Sequence, residues 1–271
     1  RLRALLGIGV NRLSVGVQSL RDEELVPLER RHDAASALSA LRRAARHGVR
    51  LSADLMVGIP GQTRESLLEA LAGLLDAGVG HVSAYLLEIE KAPRLVALKE
   101  RAPALFAEDE EMAARWEAVD DACAAAGLPR YETSNWARPG EESRHNLKYW
   151  RRDPVLALGV SAVSFDGTTR RTNTGSIPAY LAAVAARGSA VVSEETLEPA
   201  AAAREAVLLG LRTVDGVAET AFHGAAATLD AGDRARLEDA FAAGLIVRGG
   251  GRVRLTRNGV LLSNEVFALL L

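Results

Sequence analysis

Leu51-Ser52-Ala53-Asp54-Leu55-Met56-Val57-Gly58-Ile59-Pro60 is the stretch on which the fold turns. Residues 51–57 form an apolar run interrupted by one carboxylate, which reads as a strand. Gly58 and Pro60 stop it, and Thr63 stands where a side-chain oxygen caps a following helix. On that helix Leu67, Leu71 and Leu74, with Leu68 and Leu75, make the core face, and His81 to Tyr85 is the next strand. Upstream, Arg12 to Val17 alternates Leu13, Val15 and Val17. The helix from Asp33 to His47 between these strands spaces Ala34, Leu38, Leu41 and Ala45 by four, three and four, and Gly48 ends it. A strand–helix–strand–helix–strand order demands parallel strands with helical crossovers. Open doubly wound sheets and closed α/β barrels both satisfy it.

Downstream, Asp109 to Ala126 is a helix whose stripe of Met112, Trp116, Val119, Cys123 and Ala126 places Cys123 in the core. Residues 131–175 are loop-rich, with a strand expected over Val155 to Val160, and a helix follows from Ile177 to Arg187. The texture changes after Val191. Helices over 204–211 and 234–243 precede a hairpin of Leu245 to Val247 and Val253 to Leu255 around Gly249, Gly250 and Gly251. Thr256 then caps a last helix running to Leu269. This order predicts a small winged-helix-like module over 191–271, behind an α/β part over 1–190.

The composition is globular: 271 residues, 48% hydrophobic and 25% charged, with a formal charge of -2. That balance gives no basic field for nucleic acid, and no apolar run reaches the length of a membrane span. One cysteine excludes an internal disulfide and any cysteine-only metal site, and a cytoplasmic location is the default. The chain opens on Arg1, inside an expected helix end over 1–6, which reads as a fragment.

Ligands in parallel α/β folds bind at the C-terminal ends of strands. Gln18, Asp54, Glu88 and Glu90 are the polar residues there. Each has a plainer alternative: Gln18 bonding loop backbone, Asp54 in a buried salt bridge to Arg12 or Arg30. His145, Asn146, Tyr149 and Trp150 form the densest polar–aromatic cluster, suited to a porphyrin or a nucleobase, or else to a loop pinned by core aromatics. His32, His47, His81 and His223 have no ligand partner at metal spacing and read as solvated or structural.

Six segments in order carry a resemblance. They are residues 11–19 (NRLSVGVQS), 28–32 (LERRH), 54–63 (DLMVGIPGQT), 81–90 (HVSAYLLEIE), 131–137 (YETSNWA) with 145–150 (HNLKYW), and the ending at 255–256 and 261–267. Together they resemble the radical-SAM family of HemW-type haem chaperones and oxygen-independent coproporphyrinogen III oxidases, over essentially the whole chain. The resemblance implies the C-terminal part of a partial (β/α)6 barrel plus the C-terminal module. It implies S-adenosylmethionine (SAM) and a [4Fe-4S] cluster as cofactors, although the CxxxCxxC loop is not in this chain. Gln18, Arg30 and Asp54 match SAM-contacting positions. The HNxxYW box makes His145, Asn146, Tyr149 and Trp150 haem candidates and favours the chaperone branch. Where the family often has GxGAHS, this chain has Ser161 and Val163 in place of the glycine and the histidine.

The leading expectation is a chaperone that binds haem and passes it to acceptor haemoproteins, the intact protein being a candidate homodimer and this fragment having no radical chemistry of its own. The rivals are SAM-dependent oxidative decarboxylation of coproporphyrinogen III, and a nucleic-acid module on the winged-helix-like end, which the charge balance disfavours.

Overall fold

The structure, a computed structural model, describes residues 2–90 and 92–271. The chain forms two compact units, Arg1–Glu142 and Ser143–Leu271, whereas the sequence texture changes near 191. Residues 143–190 therefore fold within the second unit.

The first unit runs α1 (Leu2–Gly7), β1 (Arg12–Gln18), α2 (Asp22–Leu25), α3 (Ala34–Ala45), β2 (Arg50–Val57), α4 (Arg64–Asp76), β3 (His81–Leu86), α5 (Pro93–Arg101), α6 (Asp109–Ala125), β4 (Arg130–Glu132) and β5 (Asn135–Ala137). Arg1 itself lies outside the described residues. The sheet order is β1-β2-β3-β5-β4, with β1 to β3 parallel as the sequence predicts. The antiparallel strands β4 and β5 extend it, within and beside a stretch whose sequence reads as loop-rich. Strands of three residues carry too little alternation to be read as such.

Both crossover helices begin with a reciprocal cap. The Ser36 backbone N–H donates to Asp33 Oδ1 at 2.7 Å, and that of Ser66 donates to Thr63 Oγ1 at 3.1 Å. Period-two alternation then divides the sheet. Val17, Leu51, Ala53, Leu55, Val57, Val82 and Ala84 are all fully or almost fully buried. They share the face covered by α3, α4 and α6, which contribute Leu41, Leu67, Leu71, Leu74, Trp116 and Val119. Each buried leucine contributes about 2 kcal/mol. Cys123 lies in this layer, wholly buried as expected. Where β2 ends, Gly58 takes φ +91, and a Cβ there would collide with the Met112 side chain. Glycine adopts this conformation without strain, and any side chain here would also have to displace the end of Met112.

The second unit runs α7 (Arg144–Trp150), β6 (Val163–Phe165), β7 (Thr169–Asn173), α8 (Ile177–Arg187), β8 (Val191–Thr196), α9 (Pro199–Leu211), β9 (Val217–Ala218), α10 (Glu219–Ala226), α11 (Ala231–Ala242), β10 (Ile246–Gly249), β11 (Arg252–Leu255), α12 (Arg257–Leu261) and α13 (Ser263–Ala268). The strand expected over 155–160 does not form. Val155 makes an isolated bridge to Phe165, and Leu156 and Leu158 are exposed. The chain then turns through Gly159 and Ser161, both at positive φ, and the ladder is built by β6, β7 and β8 instead. From α9 onward the order is helix, strand, helix, helix, hairpin and two short helices. Its core holds Val207, Leu211, Phe222, Leu237, Val253, Val266 and Phe267. Gly250 and Gly251, at φ +61 and +70, make the hairpin turn. The single last helix expected from sequence is two, broken at Leu262 (φ -103, ψ 24).

Candidate functional site

The other face of the first unit's sheet is polar. Directly paired residues set one row across all five strands: Gly16, Asp54, Ser83, Asn135 and Glu132. A second row holds Ser14, Ser52 and His81. Paired residues in neighbouring strands share a face, so the register itself collects these side chains.

Asp54 sits in the middle of β2, half-buried. Burial holds its carboxyl above the ordinary carboxylate range, against hydroxyl bonds from Ser83 and Ser14 and the charges of Arg12 and Arg30. Gln18 closes β1 at a register irregularity, with φ +69 on a non-glycine residue. Its side chain turns back over Gly16, so that a Cβ there would lie 2.9 Å from Gln18 Nε2 and 4.0 Å from Asp54 Oδ2. Gln18 is 6% exposed, and its Oε1 is buried without a hydrogen-bond partner. A strained backbone that aims a buried, unsatisfied acceptor is the kind of defect a fold keeps at a working site. Arg30 is exposed in the loop after α2, and its charge acts on Asp54. Gln18 and Asp54 therefore share one face of the sheet, and Arg30 approaches closely enough for its charge to act on Asp54. Glu88 and Glu90 are exposed in the loop after β3.

Buried polar residues that sequence reading passed over fasten this site. Glu24 of α2 accepts hydrogen bonds from Ser19 Oγ at 2.6 Å, Ser66 Oγ at 2.5 Å and Gln62 Nε2 at 3.4 Å. Gln62 also accepts from the Gly58 N–H at 2.7 Å and donates to the Met56 carbonyl at 3.0 Å. This web ties the loop bearing Arg30 to the ends of β1 and β2. His81 is structural, as expected, but fully enclosed. Nδ1 meets Ser52 Oγ and Nε2 meets the Tyr131 hydroxyl, both at 2.8 Å. Burial, and then the Arg12 charge, push its pKa down to about 4. Only Ser52 and His81 carry a sequence signal, as polar side chains on otherwise apolar strands; Glu24 and Ser66 lie on helices and Gln62 in a loop, where no such pattern marks them.

The aromatic box forms α7, capped by Ser143, whose hydroxyl accepts from the Asn146 backbone N–H. The helix divides the four candidates. His145 and Tyr149, one turn apart, are exposed, and their rings meet edge to face at 5.0 Å. Asn146 is half-buried. Trp150 turns inward against the Arg212 guanidinium at 5.1 Å, which also lies 4.6 Å from the Phe267 ring. In the turn after the box, Ser161 takes φ +56, a left-handed conformation that suits the glycine the family often has there. Tyr180 and Asn173 hold Gly159 by its N–H and carbonyl, so this turn is a structural one.

Residues 1–73 match the radical SAM superfamily and residues 197–262 match the HemN C-terminal domain. The haem chaperone HemW of Bacillus subtilis (strain 168) is 34% identical over 279 residues, covering all of this chain and 72% of that protein. The chain belongs to the HemW/HemN-like family of radical SAM proteins. HemW of Mycobacterium tuberculosis (strain H37Rv) is 35% identical over 264 residues, 97% of this chain and 66% of that one. HemW of Escherichia coli K12 is 30% identical over 268 residues, 97% and 69%. The chain thus spans roughly two-thirds to three-quarters of the length of these relatives. The structure of the E. coli coproporphyrinogen III oxidase HemN, described as a radical SAM enzyme, superposes with a TM-score of 0.79 at 21% identity. It covers 99% of this chain and 66% of that one, and it shows the shared fold.

Membership in this family implies SAM and a [4Fe-4S] cluster. The buried Gln18 carbonyl beside a raised Asp54 carboxyl fits a ligand rich in hydrogen-bond donors. The cluster is another matter. The sole cysteine, Cys123, is enclosed in the helix layer with its thiol pushed up to about 12. Among the described residues no group of three or more His, Cys, Asp or Glu side chains is placed to hold a metal. The described residues thus supply no cluster site. No helix of the described residues is long and apolar enough to cross a membrane.

Proposed function

We propose that the chain is the haem-handling part of a cytoplasmic haem chaperone, which receives haem and passes it to acceptor haemoproteins. The observation that carries this is α7. One helical turn sets His145 and Tyr149 side by side on an exposed face, while Trp150 anchors the same helix from behind. Imidazole is a haem-iron ligand, and an adjacent aromatic edge suits the porphyrin plane. The His145 ring has no hydrogen-bond partner among the described residues, so its nitrogens stay available. Relatives that match nearly the whole chain carry the name heme chaperone HemW. The likeness to coproporphyrinogen III oxidase speaks for the fold.

On the same reading, Gln18, Arg30 and Asp54 hold SAM. The Arg30 fork suits a carboxylate. Asp54 accepts from an ammonium or from ribose hydroxyls, and Gln18 offers its unsatisfied carbonyl. Bound SAM, with an iron–sulfur cluster as electron source, supplies radical chemistry in this superfamily. What this chain contributes is binding and orientation.

Haemin titration followed at the Soret band tests the haem site. The chain binds haemin stoichiometrically, and His145→Ala, with unchanged far-UV circular dichroism, loses that spectrum. A wild-type chain that takes up no haemin, or a variant that binds it equally well, overturns the assignment.

A further inference from the structure

The polar row continues past Asp54, and its far end is built as carefully as the near one. Asn135 opens β5 directly opposite Ser83, whose hydroxyl bonds Asp54. Asn135 is 2% exposed. Its Nδ2 donates to Glu132 Oε1, and that carboxylate also accepts from the Ser134 N–H at 3.2 Å and from Thr133 Oγ1 at 3.2 Å. Glu132 takes only donors, so it fixes which way the Asn135 amide points. The amide oxygen is left over: Oδ1 is buried with no partner. Gln18 Oε1, at the opposite end of the sheet, is in the same condition. Two neutral acceptors stand unsatisfied at the two ends of one polar face, with a carboxylate between them.

We propose that Asn135 is a further ligand-contacting residue of this face, its Oδ1 accepting a hydrogen bond from an uncharged donor on the nucleoside end of an SAM-type ligand. The inference rests on the SAM reading above and extends it. β1 and β5 are separated by three strand steps, roughly 14 Å along the sheet at about 4.8 Å each. A ligand that meets both ends is therefore elongated. His32, two residues after Arg30, meets the Val17 carbonyl at 3.1 Å, which holds that loop at the β1 end; Arg30 there claims a carboxylate, which leaves the opposite, nucleoside end for Asn135. That end carries uncharged donors: ribose hydroxyls and an exocyclic amine. A carboxamide carbonyl suits these, and it does not titrate. Because Oδ1 is closed to bulk water, the donor reaches it directly or through one trapped water, and neither route is competed by solvent. Glu132 is then a positioning residue that acts through Asn135.

The test is calorimetric titration of the chain with S-adenosylhomocysteine, with its inosine analogue lacking the exocyclic amine, and with its 3′-deoxy analogue lacking a ribose hydroxyl. The wild-type chain binds one of the two analogues more weakly than the parent by about 3- to 10-fold, the loss of one neutral hydrogen bond. Asn135→Ala weakens the parent by the same factor and leaves that analogue unchanged, so the discrimination disappears. A purely structural role for Asn135 weakens all three ligands alike. Asn135→Ser, which keeps a small polar side chain, is measured in parallel in case the alanine variant fails to fold. Parent affinity unchanged in a folded Asn135 variant, or discrimination that survives in it, overturns the proposal. Failure of the wild-type chain to bind S-adenosylhomocysteine, or indifference to Asp54→Ala, instead overturns the SAM reading on which it rests.

Discussion

His81 makes folding of the first unit depend on pH with a defined sign and size. Its imidazole lies between Ser52 and Tyr131, and burial, with the Arg12 charge, lowers its pKa from 6.5 to about 4. Above pH 6.5 neither the folded nor the unfolded chain carries this proton, and His81 contributes no pH dependence. As the pH falls below 6.5 the unfolded chain takes the proton while the folded chain does not, so stability is lost down to about pH 4. At about 1.4 kcal/mol per pH unit the complete loss is about 3 kcal/mol, of which about 2 kcal/mol has accumulated by pH 5. With a urea dependence of about 2 kcal/mol per molar, the wild-type midpoint falls by about 1 M between pH 7 and pH 5 from this residue. His81→Gln keeps a neutral polar side chain without the titration. It is less stable at pH 7, yet its midpoint falls by about 1 M less than the wild type's between the two pH values. Other groups titrate in both proteins and cancel in the comparison. Equal pH dependence in the two proteins would refute the idea that His81 is held neutral by burial.

Two other outcomes follow from the same unit. Asp54→Asn removes a carboxylate whose pKa burial has raised, so the urea midpoint rises at pH 7, and the advantage shrinks as the pH falls and wild-type Asp54 protonates. The same variant weakens S-adenosylhomocysteine at least about tenfold by calorimetry, since a charge-assisted bond is lost. Cys123, wholly buried with its thiol pushed up to about 12, stays unmodified by iodoacetamide at pH 8 in native buffer and reacts fully in denaturant, as mass spectrometry reads out.

The parallel core was legible because β2 and its neighbours announce themselves twice, once by apolar runs and once by the stops and caps at Gly58, Thr63 and Gly48. Gln18 and Asp54 were legible from the strands and Arg30 from the family resemblance; the first two share one face, and the charge of Arg30 reaches Asp54 from its loop. Their supports were not. Glu24 and Gln62 are 38 residues apart, and nothing in either local sequence says they share a hydrogen bond. Asn135 and Ser83 meet only because β5 folds back against β3, a pairing between a six-residue strand and a three-residue one. The false strand at 155–160 shows the converse error. A short apolar run describes a surface looking for a sheet, and here the chain bends away at Gly159 and Ser161 before it finds more than one bridge. In the aromatic box, composition joined four residues that helical geometry separates: Trp150, half-buried, packs against Arg212 while His145 stays on the surface.

The alternation along β2 has an evolutionary consequence. Ala53 and Leu55 answer to the helices behind the sheet, whereas Ser52 and Asp54 answer to whatever lies in front of it. Adjacent codons are thus under unrelated selection. A lineage can rewrite every second residue of this strand to recognise a new molecule while the intervening ones continue to hold the same scaffold upright.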